Sequence, residues 1–194
     1  MMVKVCGITR REDAEVAVNA GASAIGFIFY PKSQRYITPE RAAEIGEGLP
    51  VWKVGIFVDE TAAGIEAVTR AARLDIAQVY GGSLPANVRV WRALRMPLAA
   101  GADIARVDSE ALLIDGPANG QSFDWSSLPS RGDKGAVIVA GGLDASNVGE
   151  AIRIARPWGV DASSKLESTP SIKDHEKVKA FVAAALAAAK EYAC

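Results

Sequence analysis

Eight short runs of β-branched and other apolar residues recur along the chain, separated by segments with helical periodicity and helix-start signals. Strands are expected at Val3–Ile8, Ala24–Phe29, Trp52–Val58, Ile76–Tyr80, Val88–Leu94, Ala111–Asp115, Ala136–Ala140 and Val160–Ser163. Several of these runs are nearly continuous in apolar character, as parallel strands buried on both faces require. Helix starts are expected at Thr9, at Thr38-Pro39-Glu40, at Asp144 or Ser146, and at Ser171. Gly21, Gly48 and Gly132 read as helix ends or turns. Eight strand–helix units with no long linker favour an α/β fold of the closed (β/α)8 (TIM) barrel type over an open sheet. At 194 residues the chain suits one domain, residues 1–194.

One spacing breaks the rhythm. Only Gly81–Asn87 lie between Tyr80 and Val88, whereas a βαβ crossover needs at least about 10 to 12 residues, helix included. Fully extended, a segment of that length reaches roughly 24 Å, enough to run back along a strand of about 17 Å. The fourth helix is therefore expected to be missing or vestigial, with GGSLPAN as an irregular return. The gap would expose barrel surface for a partner subunit to cover. The alternative is that VRVWRALR is itself the helix and the barrel is short of a strand.

Composition narrows the function classes. Net charge is −1 with no basic stripe, so nothing points to nucleic acid or an anionic membrane surface. No apolar stretch approaches the roughly 18 to 20 residues of a membrane span, and no signal-peptide layout opens the chain. Cys6 and Cys194 are the two cysteines and His175 the one histidine, which offers neither a disulfide framework nor a transition-metal cluster. A soluble, reduced, cytoplasmic protein without a metal is expected. His175 and Cys194 read as a solvated side chain and an incidental tail residue, and Trp125 as a loop anchor.

In such a barrel the active site forms at the C-terminal ends of the strands. Those positions hold Cys6, Arg35, Gln78, Asp115, Gly141-Gly142 and Asp161–Lys165. The run VIVAGGLDASNV takes a strand into two glycines and a capped helix. It is either a tight turn or a place where backbone N–H groups approach an anion. Its position on the seventh strand, with Ser163, Ser164 and Lys165 after the eighth, matches where barrels hold phosphate. Cys6 is either a packed small hydrophobe or a base or nucleophile whose thiolate needs nearby positive charge. Asp115 is a loop cap or a general acid kept protonated by burial. Arg35 is a solvated loop charge or a carboxylate receptor.

KVCGITR, GFIFYPKSQRYIT, VGIFVD, LLIDG…FDW, IVAGGLDASNV and GVDASSKLE…KD follow in order from Lys4 to Asp174. This set resembles the phosphoribosylanthranilate isomerase family of tryptophan biosynthesis. The resemblance implies an Amadori rearrangement of N-(5-phosphoribosyl)anthranilate to 1-(2-carboxyphenylamino)-1-deoxyribulose 5-phosphate, with no metal or organic cofactor. It implies Cys6 as general base and Asp115 as general acid. Arg35 then receives the anthranilate carboxylate, Gln78 and Asp161 join the substrate site, and Gly141, Gly142, Ser163, Ser164 and Lys165 hold phosphate. The partner is a small phosphorylated molecule, and the chain works as a monomer or homodimer.

The chain departs from the family pattern at three places. Gln78-Val79-Tyr80-Gly81 stands where QLHG is usual, and Pro117–Gln121 is a shortened loop where GGTG is usual. Lys165 replaces a glycine, so its side chain either clamps phosphate or blocks an N–H approach. Two rivals remain. The histidine-pathway isomerases resemble two-carboxylate barrels with an aspartate at the Cys6 position. A degenerate barrel that only binds a phosphorylated ligand would not need both Cys6 and Asp115.

Overall fold

A computed structural model of the chain describes residues 1–98, 109–118, 120–128 and 135–191. Eight parallel strands close into a barrel: β1 Met2–Val5, β2 Ala24–Ile28, β3 Trp52–Val58, β4 Ile76–Tyr80, β5 Val90–Arg95, β6 Ala111–Asp115, β7 Ala136–Val139 and β8 Gly159–Ala162. Each pairs with the next, and β1 closes the ring on β8, with Met2 opposite Gly159 and Lys4 opposite Asp161. Every expected strand is present, with ends shifted by a few residues. Among the described residues the α-helices are α1 Arg11–Ala20, α2 Pro39–Gly46, α3 Ala62–Ala71, α4 Val148–Ala155 and α5 His175–Glu191. A small antiparallel hairpin, β9 Glu167–Thr169 and β10 Ile172–Lys173, follows β8. No helix among the described residues is long and apolar enough to cross a membrane.

Local chemistry explains the helix ends and corrects two expected caps. Thr38 accepts a hydrogen bond from the Arg41 N–H, with Pro39 opening α2. Thr9 instead donates to the carbonyl of Ser171, and Arg10 takes the cap position of α1. Ser171 lies in the β9–β10 turn and donates to the Gln34 carbonyl. The α5 cap is Asp174, whose carboxylate accepts from the N–H groups of Glu176 and Lys177. Gly21 ends α1 in the left-handed conformation; Gly132 and Cys194 lie outside the described residues. His175 is also more than a solvated charge, because its Nε2 sits 2.9 Å from Oδ1 of the buried Asp13.

No helix lies between β4 and β5, and Val90–Arg95 is a strand paired to both neighbours, which removes the alternative of a helix there. The expected exposed gap does not appear. Ala77 and Val79, the outward residues of β4, are fully buried. Leu84 and Val88 of the return segment pack over them beside Ile65, Val68 and Leu74. The chain covers its own missing helix. At the N-terminal end of the barrel, the rings of Trp52, Trp91 and Trp158 pack with centroids 6.0 to 6.2 Å apart. That plug leaves the opposite end open for a ligand.

Candidate active site

At the C-terminal end of the barrel lies a cavity of about 920 Å³, within the usual range for small-molecule sites. Cys6, Arg35, Gln78, Asp115, Gly141, Gly142, Asp161, Ser163, Ser164 and Lys165 all line it. Residues spread from the first to the eighth strand are thus brought to one place.

Strand parity builds the thiol side. Val3 and Val5 of β1 join the outer core, so Lys4 and the Cys6 that follows the strand turn to the interior. Cys6 is 5% exposed, and its N–H donates to the Ala162 carbonyl. Lys4 is fully buried, and its Nζ donates to Asp161 Oδ2 at 2.8 Å across the β1–β8 register. Burial alone would lower the Lys4 ammonium, but Asp161 and Cys6 outweigh it and raise it above its ordinary range. Burial pushes the Cys6 thiol up, while the charges of Lys4 and Lys173 pull it back. Gly26 makes the room: a Cβ there would lie 2.8 Å from Cys6 Sγ and 3.1 Å from Lys4 Cε. Lys4 and Gly26 carried no role in the sequence reading. The available signal was parity, since a lysine two residues before an inward cysteine must also point inward.

The carboxyl side is assembled from β4, β5 and β6. Asp115 Oδ2 accepts from the Tyr80 hydroxyl at 3.1 Å, and Oδ1 accepts from the Gly116 N–H at 2.9 Å. Gln78 Nε2 donates to Tyr80 Oη at 3.3 Å. The Arg95 guanidinium lies 3.8 Å from Asp115 Oδ2 and 5.5 Å from the Tyr80 ring centroid. Burial raises the Asp115 carboxyl above its ordinary range, against the opposing pull of Arg95, Tyr80 and Gly116. A raised carboxyl facing a cavity can hold and deliver a proton. The Gln78 Oε1 and Asp161 Oδ1 atoms are buried acceptors without a hydrogen-bond partner among the described residues, which suits ligand hydroxyls.

Arg35 is not a solvated loop charge. Its Nε and Nη2 donate to the two carboxylate oxygens of Glu167 at 2.6 and 2.7 Å. Glu167 also receives Lys173 Nζ at 3.1 Å, and Lys173 is itself buried. Burial alone would raise the Glu167 carboxyl, but Arg35 and Lys173 together hold it below its ordinary range. Glu167 occupies two nitrogens of the guanidinium fork, so the third is the one that can meet a ligand.

The Gly141-Gly142 turn has φ of 92° and 63°. A Cβ on Gly142 would lie 2.8 Å from both the Gly120 carbonyl oxygen and the Ser122 nitrogen. Close packing of the shortened loop after β6 therefore dictates this glycine. Asn147 clamps the turn, accepting from the Asp144 N–H at 2.9 Å and donating to the Gly142 carbonyl at 3.0 Å. Across the groove, Ser163 donates to the Cys6 carbonyl at 3.0 Å, and a short 3-10 turn runs Ser164–Leu166. Lys165 is exposed at the rim.

Residues 3–184 match the family model described as N-(5'-phosphoribosyl)anthranilate (PRA) isomerase. The chain is 47% identical to N-(5'-phosphoribosyl)anthranilate isomerase of Solibacter usitatus, over 97% of this chain and 98% of that protein. The crystal structure of phosphoribosyl anthranilate isomerase from Thermotoga maritima superposes with a TM-score of 0.89 at 37% identity, covering 96% and 99% of the two chains. A further isomerase structure, in complex with reduced 1-(o-carboxyphenylamino)-1-deoxyribulose 5-phosphate, matches with a TM-score of 0.85 at 35% identity, covering 96% and 99%. The chain belongs to the N-(5'-phosphoribosyl)anthranilate isomerase family.

Proposed function

We propose that the cavity converts N-(5'-phosphoribosyl)anthranilate into 1-(2-carboxyphenylamino)-1-deoxyribulose 5-phosphate in tryptophan biosynthesis, an aldose-to-ketose isomerisation. The observation that carries this reading is the meeting of three features in one cavity. These are a buried thiol after β1, a carboxyl group at the end of β6 and the Gly141-Gly142 and Ser163–Lys165 turns after β7 and β8.

Asp115 gives its proton to the furanose ring oxygen. The C1–O bond breaks with its electron pair going to oxygen, and the nitrogen lone pair forms the C1–N iminium. The Cys6 thiolate then removes the C2 proton. The C2–H pair becomes the C1–C2 double bond, and the C–N π pair returns to nitrogen. The enolamine ketonises as the C2 hydroxyl loses a proton to solvent and C1 gains one from it, and solvent exchange returns a proton to Asp115 and takes the one held by Cys6. Each step moves a proton on or off the substrate or an electron pair within it, so the sequence needs no cofactor. An acid and a base of this kind each contribute about 10²–10⁴ in rate.

The third nitrogen of Arg35 takes the anthranilate carboxylate, and Gln78 and Asp161 accept from sugar hydroxyls. The N–H groups of Gly141, Gly142 and Ser164 take the phosphate, with the Lys165 ammonium at its open side. Lys4 is the counter-charge that lets a buried thiol ionise. A base that must stay a free thiol fits the reducing cytoplasm. The chain works as a monomer or a homodimer. A loss-of-substrate assay with phosphoribosylanthranilate, run beside the histidine-pathway Amadori substrate, tests the reading. Turnover of the first alone is expected. No turnover of the first would remove the reading, and equal turnover of both would replace it with a dual-substrate isomerase.

A further inference from the structure

The acid has a neighbour that the mechanism above leaves unused. Tyr80, at the end of β4, places its hydroxyl 3.1 Å from Asp115 Oδ2. Gln78 Nε2, a donor only, points at the same hydroxyl from 3.3 Å. The phenol oxygen therefore accepts from Gln78, and its single hydrogen is directed at Asp115. Arg95 lies over the ring at 5.5 Å, a cation–π contact. Burial first, and then the Asp115 charge, push the Tyr80 phenol well above its ordinary value, so it stays a neutral donor at working pH.

We propose that Tyr80 is the positioning residue for Asp115, its hydroxyl aimed by Gln78 and its ring held by Arg95, so that the carboxyl group is fixed for proton delivery to the ring oxygen. With Gly116 on Oδ1 and Tyr80 on Oδ2, both oxygens are tethered and the plane of the carboxyl group is set. Each oxygen keeps a second site, where the acidic proton resides before transfer. Once that proton has gone, the Tyr80 and Gly116 donors remain on the carboxylate, and Tyr80 itself exchanges no proton. The charged groups acting on Asp115 come from several strands: Arg95 on β5, Lys4 on β1 and Asp161 on β8.

The inference rests on reading Asp115 as the acid, and Y80F tests it separately, because Phe keeps the ring beneath Arg95 and deletes only the hydroxyl. In ligand-free protein labelled at the aspartate carboxyl carbon, the NMR titration of Asp115 is expected at higher pH in Y80F than in the parent. Turnover is expected to fall about tenfold, the scale of one hydrogen bond to a charged group, with KM within about twofold. The limb of the pH–rate profile that tracks Asp115 moves to higher pH as well. A tyrosine that merely fills space would leave the titration in place. An unmoved Asp115 titration, or Y80F turnover equal to the parent, overturns the inference. Parent-like turnover in D115N instead overturns the reading of Asp115 as the acid.

Discussion

The two halves of the cavity hold their reactive groups in opposite ways. On the thiol side, β8, β1 and the β9–β10 hairpin encase Cys6 in paired charges: Lys4 with Asp161, and Arg35 and Lys173 with Glu167. On the carboxyl side, Asp115 meets neutral donors and one half-exposed arginine at 3.8 Å. The thiol therefore sits in an ionic cage, where burial resists the charged form and the Lys4 and Lys173 ammonium groups offset part of that cost. At the carboxyl, burial likewise raises the group above its ordinary range, against Arg95 first and then the Tyr80 and Gly116 donors. Burial raises both groups, so what separates the two halves is the kind of partner: paired buried charges at the thiol, hydrogen-bond donors at the carboxyl.

The largest effects should come from breaking one half alone. Asp115→Asn is expected to lower turnover by about 10²–10⁴, and steady-state kinetics checks it. Its thermal stability near neutral pH should match or exceed the parent. A raised carboxyl penalises the folded state at pH above its folded value, and Asn removes that penalty. Lys4→Met strands Asp161 in the interior and should lower folding stability by about 3–5 kcal/mol, read by denaturant unfolding. Unchanged stability would mean that Asp161 is already neutral, and the ionic cage would lose its centre.

Gly26→Ala sharpens the contrast, because its Cβ would crowd Cys6 Sγ and leave the carboxyl side untouched. A loss of about 1–3 kcal/mol is expected, with turnover falling more than KM rises. The halves should also differ with acid. Glu167, ordinarily near 4.5, is held below that value in the fold, so its contribution is present above 4.5 and lost as pH falls through the lowered value. Glu167→Gln should flatten the acid unfolding curve in that window, whereas Asp115→Asn should not. The smallest effect belongs to Lys165→Gly, at the exposed rim: KM for the phosphorylated substrate should rise a few-fold, and an unchanged KM would mean that the lysine faces solvent.

The barrel was legible because its strands are buried on both faces, so even β5, written VWRALR, kept enough apolar character to read as a strand. The missing helix was legible from chain length alone. That the return segment would cover the gap was not, because Leu84 and Val88 fold over Ala77 and Val79 only in three dimensions. Cys6, Asp115 and the two turns were legible as strand ends. The cage was hidden for a physical reason: Arg35 and Glu167 are 132 residues apart, and Lys4 and Asp161 157 apart. No local pattern reports such pairs. The caps misplaced at Thr9 and Ser171 show the same limit, since the Thr9 hydroxyl donates to the Ser171 carbonyl instead.

Cys6→Ala bears most directly on the assignment of the base. It removes Sγ, a hydrogen-bond partner of Lys4, and leaves the direct Lys4–Asp161 contact in place, so unfolding behaviour should stay close to the parent. Turnover of phosphoribosylanthranilate by the variant, measured beside the parent, is expected to fall by at least about 100-fold. Turnover close to that of the parent would contradict proton abstraction by Cys6.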